Sequence, residues 1–369
     1  MYSVLQITTG HEVYDNRITR KICKFLSKSG FSVSLYVQRP KEKYRDDSAT
    51  EIKYFKRANT RFGRLFILNF YFFLHAMRSK ATILHFHDPA FLPYGIILAH
   101  LGKTVIYDVH EDYRTSIYDR EWLPSILKYL SSKFIIFLEN RMSRKGYICA
   151  ATPSIRKYFP RGRTVTVQNY PSTEIFNHNR PFLTRPKRFV YVGTISEERG
   201  IYEILNAVKI LNDKGVYGYG LDLIGDIEKN FLVKLKAHPA WPNVNWHGRR
   251  EPKEVAEILG NSFCGLAILA NLKRYRESQP TKIYEYIASG TPFIASNFNE
   301  WKKLFGEQSG KFIQINARAL AEEMLYFLNN EDTVVRMSNI ALKESVSKFS
   351  FENEGAKLVD FYLSIMREL

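Results

Sequence analysis

The stretch Glu277-Ser-Gln-Pro-Thr-Lys-Ile-Tyr-Glu285-Tyr-Ile-Ala-Ser-Gly290-Thr-Pro292 holds two glutamates eight positions apart. Its Pro-Thr pair predicts the start of a helix that ends at Gly290, because proline suits a first helical turn and glycine the position after the last. The apolar runs 264–270 and 292–295 predict two buried parallel strands joined by this helix. Glu277 then lies on the loop leaving the first strand, where such units bind ligands, and a carboxylate there suits sugar hydroxyls better than phosphate.

Composition predicts a soluble globular protein with two domains. The chain has 369 residues, of which 45% are hydrophobic and 25% are charged, and its net charge is +17. This basic excess predicts attraction to a phosphate-rich partner, which is nucleic acid, an anionic membrane or a phosphorylated substrate. The longest apolar run, 65–76, is shorter than the about 20 residues that span a bilayer.

The cysteines and the N-terminus predict a cytoplasmic protein. Cys23, Cys149 and Cys264 stand far apart in apolar surroundings, so we expect reduced core residues and no zinc site. The first residues enter a strand without the basic and apolar segments of a signal peptide.

The 277–292 stretch resembles the Glu-x7-Glu signature of the retaining glycosyltransferases of family 4, which have the GT-B fold. The resemblance implies an α/β protein with two Rossmann-like domains that face each other across a cleft. It implies an acceptor-binding domain over 1–172, a linker over 173–187, a nucleotide-sugar-binding domain over 188–350 and a helix over 351–369 that returns to the first domain.

The first strand, 4–7, ends in a turn that resembles the acceptor-side loop of this family. By that resemblance Gly10 lies near the donor sugar and phosphates, although a glycine at such a turn is also explained by backbone geometry alone. His11, Asp15 and Arg17 follow on the acceptor side, and Asp15 and Arg17 either line the cleft or cap the helix that begins there.

Two later strand ends of the first half carry histidines. His85 and His87 alternate along a strand and therefore share a face, but no third ligand stands at a fixed spacing, so we favour polar residues at a cleft edge over a metal site. His87 is assigned to the acceptor side. His110 matches the family histidine that hydrogen-bonds the transferred sugar, and the alternative is a partly buried histidine satisfied by neighbouring acids.

The strand that ends at Gly193 resembles the family segment whose arginine and lysine bind the donor diphosphate. Arg199 stands at the lysine position and keeps the charge, whereas Thr194 stands at the arginine position and does not. Because charge develops on the leaving diphosphate, a second cation is required, and Lys282 at the start of the helix is our candidate.

The remaining donor-binding residues also follow from the resemblance. The loops that carry Gly225, Gly248 and Arg249 hold the nucleobase, largely through the backbone. Glu285 binds the ribose hydroxyls and Glu277 binds the hydroxyls of the transferred sugar. Ile283, between them, is also expected to be a donor-binding residue.

Two segments combine basic and aromatic residues, which is typical of helices in a membrane interface. Aromatic residues are concentrated in 66–73 between arginines, and residues 128–145 repeat the pattern. Attachment to the inner face of the cytoplasmic membrane follows, and the alternative is two core helices with solvated ends.

We therefore expect a metal-independent retaining glycosyltransferase that needs no cofactor. It uses a nucleoside-diphosphate sugar and a saccharide or lipid-linked acceptor in cell-surface polysaccharide or glycan assembly. The alternatives are a sugar-nucleotide epimerase on the same fold and a noncatalytic partner of another transferase. Binding to nucleic acid is disfavoured because no nucleic-acid recognition motif is present.

Overall fold

The structure is a computed structural model that describes residues 2–40, 50–60, 63–119, 123–177 and 180–368. It divides into two compact units, one formed by Met1–Asn169 with Phe351–Leu369 and the other by Tyr170–Ser350. Each unit is a parallel β-sheet covered by helices, as the alternation of strand and helix patterns predicts.

The first unit contains one parallel sheet in the order β3-β2-β1-β4-β5-β6-β7. The strands are β1 (Ser3–Ile7), β2 (Ser32–Gln38), β3 (Glu51–Phe55), β4 (Ile83–Phe86), β5 (Val105–Val109), β6 (Tyr147–Ala150) and β7 (Thr164–Thr166). The helices are α1 (Lys24–Lys28), α2 (Asn69–Arg78), α3 (Leu92–His100), α4 (Tyr113–Ser116), α5 (Ser125–Lys145) and α6 (Pro153–Arg156). π-Helical turns at Ile18–Cys23 and Gly63–Leu68 lead into α1 and α2.

The C-terminal helix, Phe351–Arg367, belongs to this first unit. It packs on α1, where a Cβ at Gly355 would overlap the ring of Phe25, so a glycine lets the two helices approach closely. Tyr362 from the same helix is fully buried among the apolar residues of β1, β2 and β4.

The second unit repeats this plan with the strand order β10-β9-β8-β11-β12-β13, again all parallel. The strands are β8 (Arg188–Val192), β9 (Gly220–Ile224), β10 (Val244–Gly248), β11 (Cys264–Ala267), β12 (Phe293–Ser296) and β13 (Gly310–Ile313). The helices are α7 (Ile201–Asp213), α8 (Lys229–Lys236), α9 (Pro252–Gly260), α10 (Lys273–Arg276), α11 (Thr281–Ala288), α12 (Asn299–Phe305), α13 (Ala317–Asn329) and α14 (Glu331–Ser347).

Both sheets have a topological switch point, the place where the strand order reverses. It lies between β1 and β4 in the first unit and between β8 and β11 in the second. In open parallel sheets a ligand binds outside the carboxyl ends of the strands at this point. The fold therefore indicates one candidate binding position in each unit.

In the segment 173–187, which the sequence predicts to be a linker, several of the described side chains pack onto the second unit. Phe176 and Phe182 join its core, and the buried Arg185 donates hydrogen bonds to the carbonyl oxygens of Ser289 and Gly290. Proline and polar residues in the sequence suggested a linker, but these buried side chains fix the segment at the carboxyl end of α11, where a cation is favoured.

Candidate active site

The turn after β1 is organised by the carboxylate of Asp88, which follows β4 across the first switch point. Oδ2 of Asp88 accepts hydrogen bonds from Oγ1 of Thr8 at 2.9 Å and from the backbone N–H of Thr9 at 2.6 Å. A Cβ at Gly10 would overlap Oδ1 of the same carboxylate. A glycine is therefore required at this position, which brings exposed backbone to the carboxyl edge of the sheet.

His11 and Asp15 form a pair next to this turn. Nδ1 of His11 lies 3.2 Å from Oδ2 of Asp15, while Oδ1 of Asp15 accepts the backbone N–H groups of Arg17 and Ile18. Asp15 thus caps the helical segment, one of the two roles expected for it. Burial alone would lower the pKa of His11, but the Asp15 hydrogen bond and the charges of Asp88, Asp15 and Asp108 outweigh it and raise that pKa.

The sequence suggested that Arg17 either lines a cleft or caps the helix, but its side chain does neither. It is 4% exposed and forms a bidentate pair with Asp108, with Nε at 2.9 Å from Oδ2 and Nη2 at 2.8 Å from Oδ1. Its Nη1 donates to the carbonyl oxygen of Val167. With its donors engaged in the interior, Arg17 is positioned to neutralise Asp108 rather than to contact an acceptor.

Asp108, buried in β5, also holds two of the predicted histidines. Nδ1 of His87 and Nε2 of His110 each lie 3.1 Å from its Oδ2. Burial raises the pKa of a carboxyl group, yet the charge of Arg17 and the hydrogen bonds from His110 and His87 hold the pKa of Asp108 well below its usual range. Oδ2 of Asp108 can accept an N–H from Nε2 of His110, and Nδ1 on the other side of that ring is then available to a ligand.

A chain of buried polar groups continues from His87 to the C-terminal helix. Nε2 of His87 lies 2.8 Å from Oε1 of Gln6, and Nδ1 of His85 lies 2.6 Å from the hydroxyl of Tyr362. Gln6 connects the two, with Nε2 at 3.4 Å from that hydroxyl. Burial lowers the pKa of both His85 and His87, which disfavours their charged forms. His85 and His87 therefore have structural partners, and only His110, 11% exposed, reaches the surface.

Among the described residues, two groups could hold a metal ion. They are His87, Asp108 and His110, and His85, Asp108 and Cys149, with ligand atoms within 4.8 Å of one another in each group. Asp108 supplies the third ligand that the sequence spacing did not show. The same carboxylate is already neutralised by two guanidinium hydrogen bonds, so its oxygens have hydrogen-bond partners without a metal.

Three glycines mark neighbouring strand ends in the second unit. Gly193, Gly225 and Gly248 all have positive φ, and the N–H of Gly225 donates to the carbonyl oxygen of Gly248 at 2.8 Å. A Cβ at Gly225 would overlap the carbonyl oxygen of Gly193. These predicted donor-binding glycines therefore lie side by side, where backbone can approach a ligand closely.

Arg199 and Lys282 converge on the second switch point. A Cβ built at Gly193 would lie 3.6 Å from Nη1 of Arg199 and 3.8 Å from Nζ of Lys282. Nζ of Lys282 lies 3.6 Å from the ring centroid of Tyr191 and has no hydrogen-bond partner among the described residues. Burial, and then the charge of Arg199, lower the pKa of Lys282 well below its usual value, against an opposing effect of Glu285.

The other predicted donor-binding residues of the second unit differ in how exposed their side chains are. The side chains of Thr194 and Arg249 are exposed, and the carbonyl oxygen of Thr194 accepts the hydroxyl of Tyr191 at 3.0 Å. Ile283 is fully buried in the apolar core, so its side chain packs against the protein interior rather than facing a ligand. Glu285 is half-buried one helical turn after Lys282.

Glu277 follows α10 and is exposed on the wall of a cavity of about 710 Å³. The cavity lies outside the carboxyl ends of β12 and β13, and its wall is rich in side-chain amides. Those amides belong to Asn271, Asn297, Asn299, Gln314 and Asn316. These five residues come from three separate loops, so no single stretch of sequence indicated them, although Asn271, Asn297 and Gln314 each directly follow a strand or an apolar run.

Two Rossmann-like sheets, each with ligand-binding features at its switch point, define a protein of the GT-B class. The family model for glycosyl transferases group 1 matches residues 173–344, and the model for Glycosyltransferase Family 4 matches residues 16–169. Together they match more than half of the chain. The chain belongs to the family 4 type of glycosyltransferases, as the resemblance of its 277–292 stretch implied.

A curated relative is 29% identical over 136 residues, which are 36% of this chain. It is named a teichuronic acid biosynthesis glycosyltransferase, TuaC, of Bacillus subtilis (strain 168). The match spans 31% of the length of that relative.

Solved structures agree on the fold. A glycosyltransferase from Rickettsia africae is 14% identical, with a TM-score of 0.75 and coverage of 100% of this chain and 99% of its own. Anabaena Alr3699/HepE in complex with UDP is 12% identical, with a TM-score of 0.71 and coverage of 99% and 100%. The GT-B fold expected from the sequence is thereby confirmed.

Proposed function

We propose that this protein is a retaining glycosyltransferase that moves a sugar from a nucleoside-diphosphate sugar to a saccharide or lipid-linked acceptor. The observation that carries the proposal is the convergence of Arg199 and Lys282 on Gly193. Two cations beside backbone at the carboxyl edge of a sheet suit a diphosphate, whose charge grows as the bond to the sugar breaks. Family membership and the UDP complex of HepE support a nucleotide sugar as the donor.

Lys282 takes the place of the cation that is missing at Thr194. Its amine is buried over the ring of Tyr191 with no acceptor among the described residues, so a phosphate oxygen would supply the hydrogen-bond partner that the amine lacks. Arg199 would contact the same diphosphate through its guanidinium group. The two side chains then stabilise the leaving group and no metal ion is assigned to that role.

The remaining roles follow the chemistry of each group. Nδ1 of His110 would accept a hydroxyl of the transferred sugar, Glu277 would bind other hydroxyls of that sugar, and Glu285 would bind the ribose. In the reaction the C1–O bond to the diphosphate breaks and a C1–O bond to the acceptor forms on the same face. The acceptor proton passes to a phosphate oxygen of the departing nucleoside diphosphate. Lys282, Arg199 and His110 hold these groups and no protein nucleophile takes part.

We place this reaction in the assembly of a cell-surface polysaccharide or related glycan, in the cytoplasm. The support is the name of the partial relative TuaC, which concerns teichuronic acid biosynthesis. The amide-rich cavity beside Glu277 is consistent with a carbohydrate substrate, because amide groups pair with hydroxyl groups as both donors and acceptors.

A donor screen tests the proposal at its first step. We expect one of a panel of UDP-, GDP- and other nucleotide sugars to raise the unfolding temperature of the full chain. Release of nucleoside diphosphate that depends on an acceptor would then establish transfer. NMR of the product would establish retention if the anomeric configuration matches that of the donor.

Thr194 favours one rival, a noncatalytic partner that binds a nucleotide sugar for another transferase, because the usual cation is absent there. Such a protein would show the thermal shift but no turnover with any acceptor. An epimerase would instead convert the donor when no acceptor is present.

A further inference from the structure

The outer face of three neighbouring helices in the first unit is both apolar and basic. We call the exposed side chains of 63–78, 92–101 and 125–145 the aromatic-basic face. Helix α3 packs against both α2 and α5, so the three helices form one layer on the sheet. Its exposed large apolar residues are Leu65, Phe66, Ile67, Phe70, Tyr71, Met77, Ile97, Leu101, Ile126, Leu127, Tyr129, Leu130, Phe134 and Phe137.

These helices are not core helices with solvated ends. One side of each is buried, through Phe72, Leu98 and Met142 for example, while Phe66 and Phe134 on the opposite side are 51% and 57% exposed. More than half of the exposed large apolar side chains in the described chain lie on this face, whereas those of the second unit are scattered over separate elements. An apolar area of this extent marks an interaction surface.

The charges on the face have a single sign. Within 63–78, 92–101 and 125–145, all of them described, the sequence holds one acidic residue, Glu139. Glu139 is buried and paired with Nε of Arg114 at 2.7 Å. Basic side chains lie beside the exposed rings, with Arg141 at 5.0 Å from the ring of Phe137 and Lys133 at 5.5 Å from that of Tyr129.

We propose that the aromatic-basic face docks this protein on an anionic lipid membrane. Aromatic rings flanked by lysine and arginine suit the interface of such a bilayer, where rings enter the headgroup region and cations meet lipid phosphates. A second copy of the chain is a poorer partner, because a symmetric contact would set this basic surface against itself. No described helix is long and apolar enough to cross a membrane, so the contact is peripheral in this proposal.

The position of the face also favours a class of acceptor. In a parallel sheet each connecting helix begins at the edge where its preceding strand ends. The exposed apolar side chains are concentrated in 65–71 and 126–137, the first parts of their helices. They therefore lie toward the edge that carries His87 and His110, where a lipid-linked acceptor could be presented. This choice of acceptor rests on the proposed transferase function, whereas the docking surface does not.

Sedimentation with vesicles tests the docking surface. We expect the full chain to bind vesicles of phosphatidylglycerol and phosphatidylcholine at low salt and to be released by about 1 M salt or by pure phosphatidylcholine. The triple variant F66S/F134S/F137S and the charge variant K133E/R141E should each bind about tenfold more weakly or worse. All five side chains are exposed, so folding should be preserved.

Matched controls lie on the second unit. The variants Y217S/V233S and K234E/K236E remove exposed apolar area or positive charge there and should bind vesicles like the unchanged protein. Equal loss in the controls, or no binding of the unchanged protein at low salt, would overturn the proposal. Concentration-dependent dimerisation through Phe66 and Phe134 without vesicle binding would overturn it too and assign the face to a second copy.

The thermal shift caused by the donor separates this proposal from the proposed function. A normal shift without vesicle binding would refute docking alone and leave the transferase proposal standing. Vesicle binding without a shift from any nucleotide sugar would support docking and count against the transferase.

Discussion

Replacing Lys282 by methionine should change stability and activity in opposite directions. The amine of Lys282 is buried over Tyr191 with no hydrogen-bond partner among the described residues. A buried polar group without a partner costs about 1 to 3 kcal/mol, and methionine fills the same volume without that cost. We therefore expect K282M to be as stable as the unchanged protein or up to about 3 kcal/mol more stable.

The catalytic effect should be a large loss. Removing one preorganised donor to developing negative charge costs about 2.7 to 4 kcal/mol of transition-state stabilisation, or about 10² to 10³ in rate. The donor-dependent thermal shift should also shrink, because one of two diphosphate contacts is lost. A matched control is K273A, which removes an exposed lysine a few residues before Glu277 and should leave both measurements unchanged.

The pH dependence gives a third readout. Without a ligand, the folded-state pKa of Lys282 lies well below its usual value of 10.5, so at pH values between the folded and unfolded pKa the unfolded chain binds one more proton at this residue. Stability then rises with pH between the folded and unfolded pKa values, and K282M should remove this slope. Urea unfolding and initial-rate transfer assays measure these quantities. A variant with unchanged kcat/KM, or one destabilised by several kcal/mol, would refute the role given to Lys282.

Three further predictions concern single interactions. D108N should destabilise the first unit by about 3 to 5 kcal/mol in urea unfolding, because the buried charge of Arg17 loses its partner. A smaller loss of unfolding free energy in R17M/D108N than in D108N would confirm that cause. G225A should abolish the donor-dependent thermal shift, because the added Cβ overlaps the carbonyl oxygen of Gly193. The control G218A should keep the shift, because Gly218 also has a positive φ but has open space around it. Equal effects of the two variants would indicate that backbone strain alone is responsible. The raised pKa of His11 means that its pairing stabilises the protein fully below the unfolded pKa of about 6.5, and that this contribution is lost as the pH rises through the folded pKa. The variant H11Q should therefore lack the fall in urea stability that this loss causes above about pH 6.5, and an unchanged slope would contradict the pairing.

The local parts of the fold could be predicted because short-range chemistry determines them. The helix Thr281–Ala288 was expected from the proline before it and Gly290 after it, and the continuous apolar run before it gave β11. A glycine also follows α1, where Gly30 has a positive φ of 86° two positions after the last helical residue, Lys28. Such signals lie within a few residues of the element that they define.

The interactions that build the candidate site depend on distant residues and left no local signal. Arg17 and Asp108 are 91 positions apart, so the sequence could not show that the arginine is buried against that carboxylate. Asp108 itself, an acid within an apolar strand, was the available signal, because a buried charge requires a partner. Likewise Lys282 was selected from its place in the motif, but its contact with Tyr191 appears only in the folded structure.

The central claim is that this chain transfers a sugar from a nucleotide donor held by Arg199 and Lys282. The most direct test measures the acceptor-dependent release of nucleoside diphosphate by the unchanged protein, K282M and K273A under the same conditions. With the donor that raises the unfolding temperature and a lipid-linked saccharide acceptor, the unchanged protein and K273A should release nucleoside diphosphate, while K282M should release it about 10² to 10³ times more slowly. Equal release by all three proteins, or conversion of the donor with no acceptor present, would contradict the account.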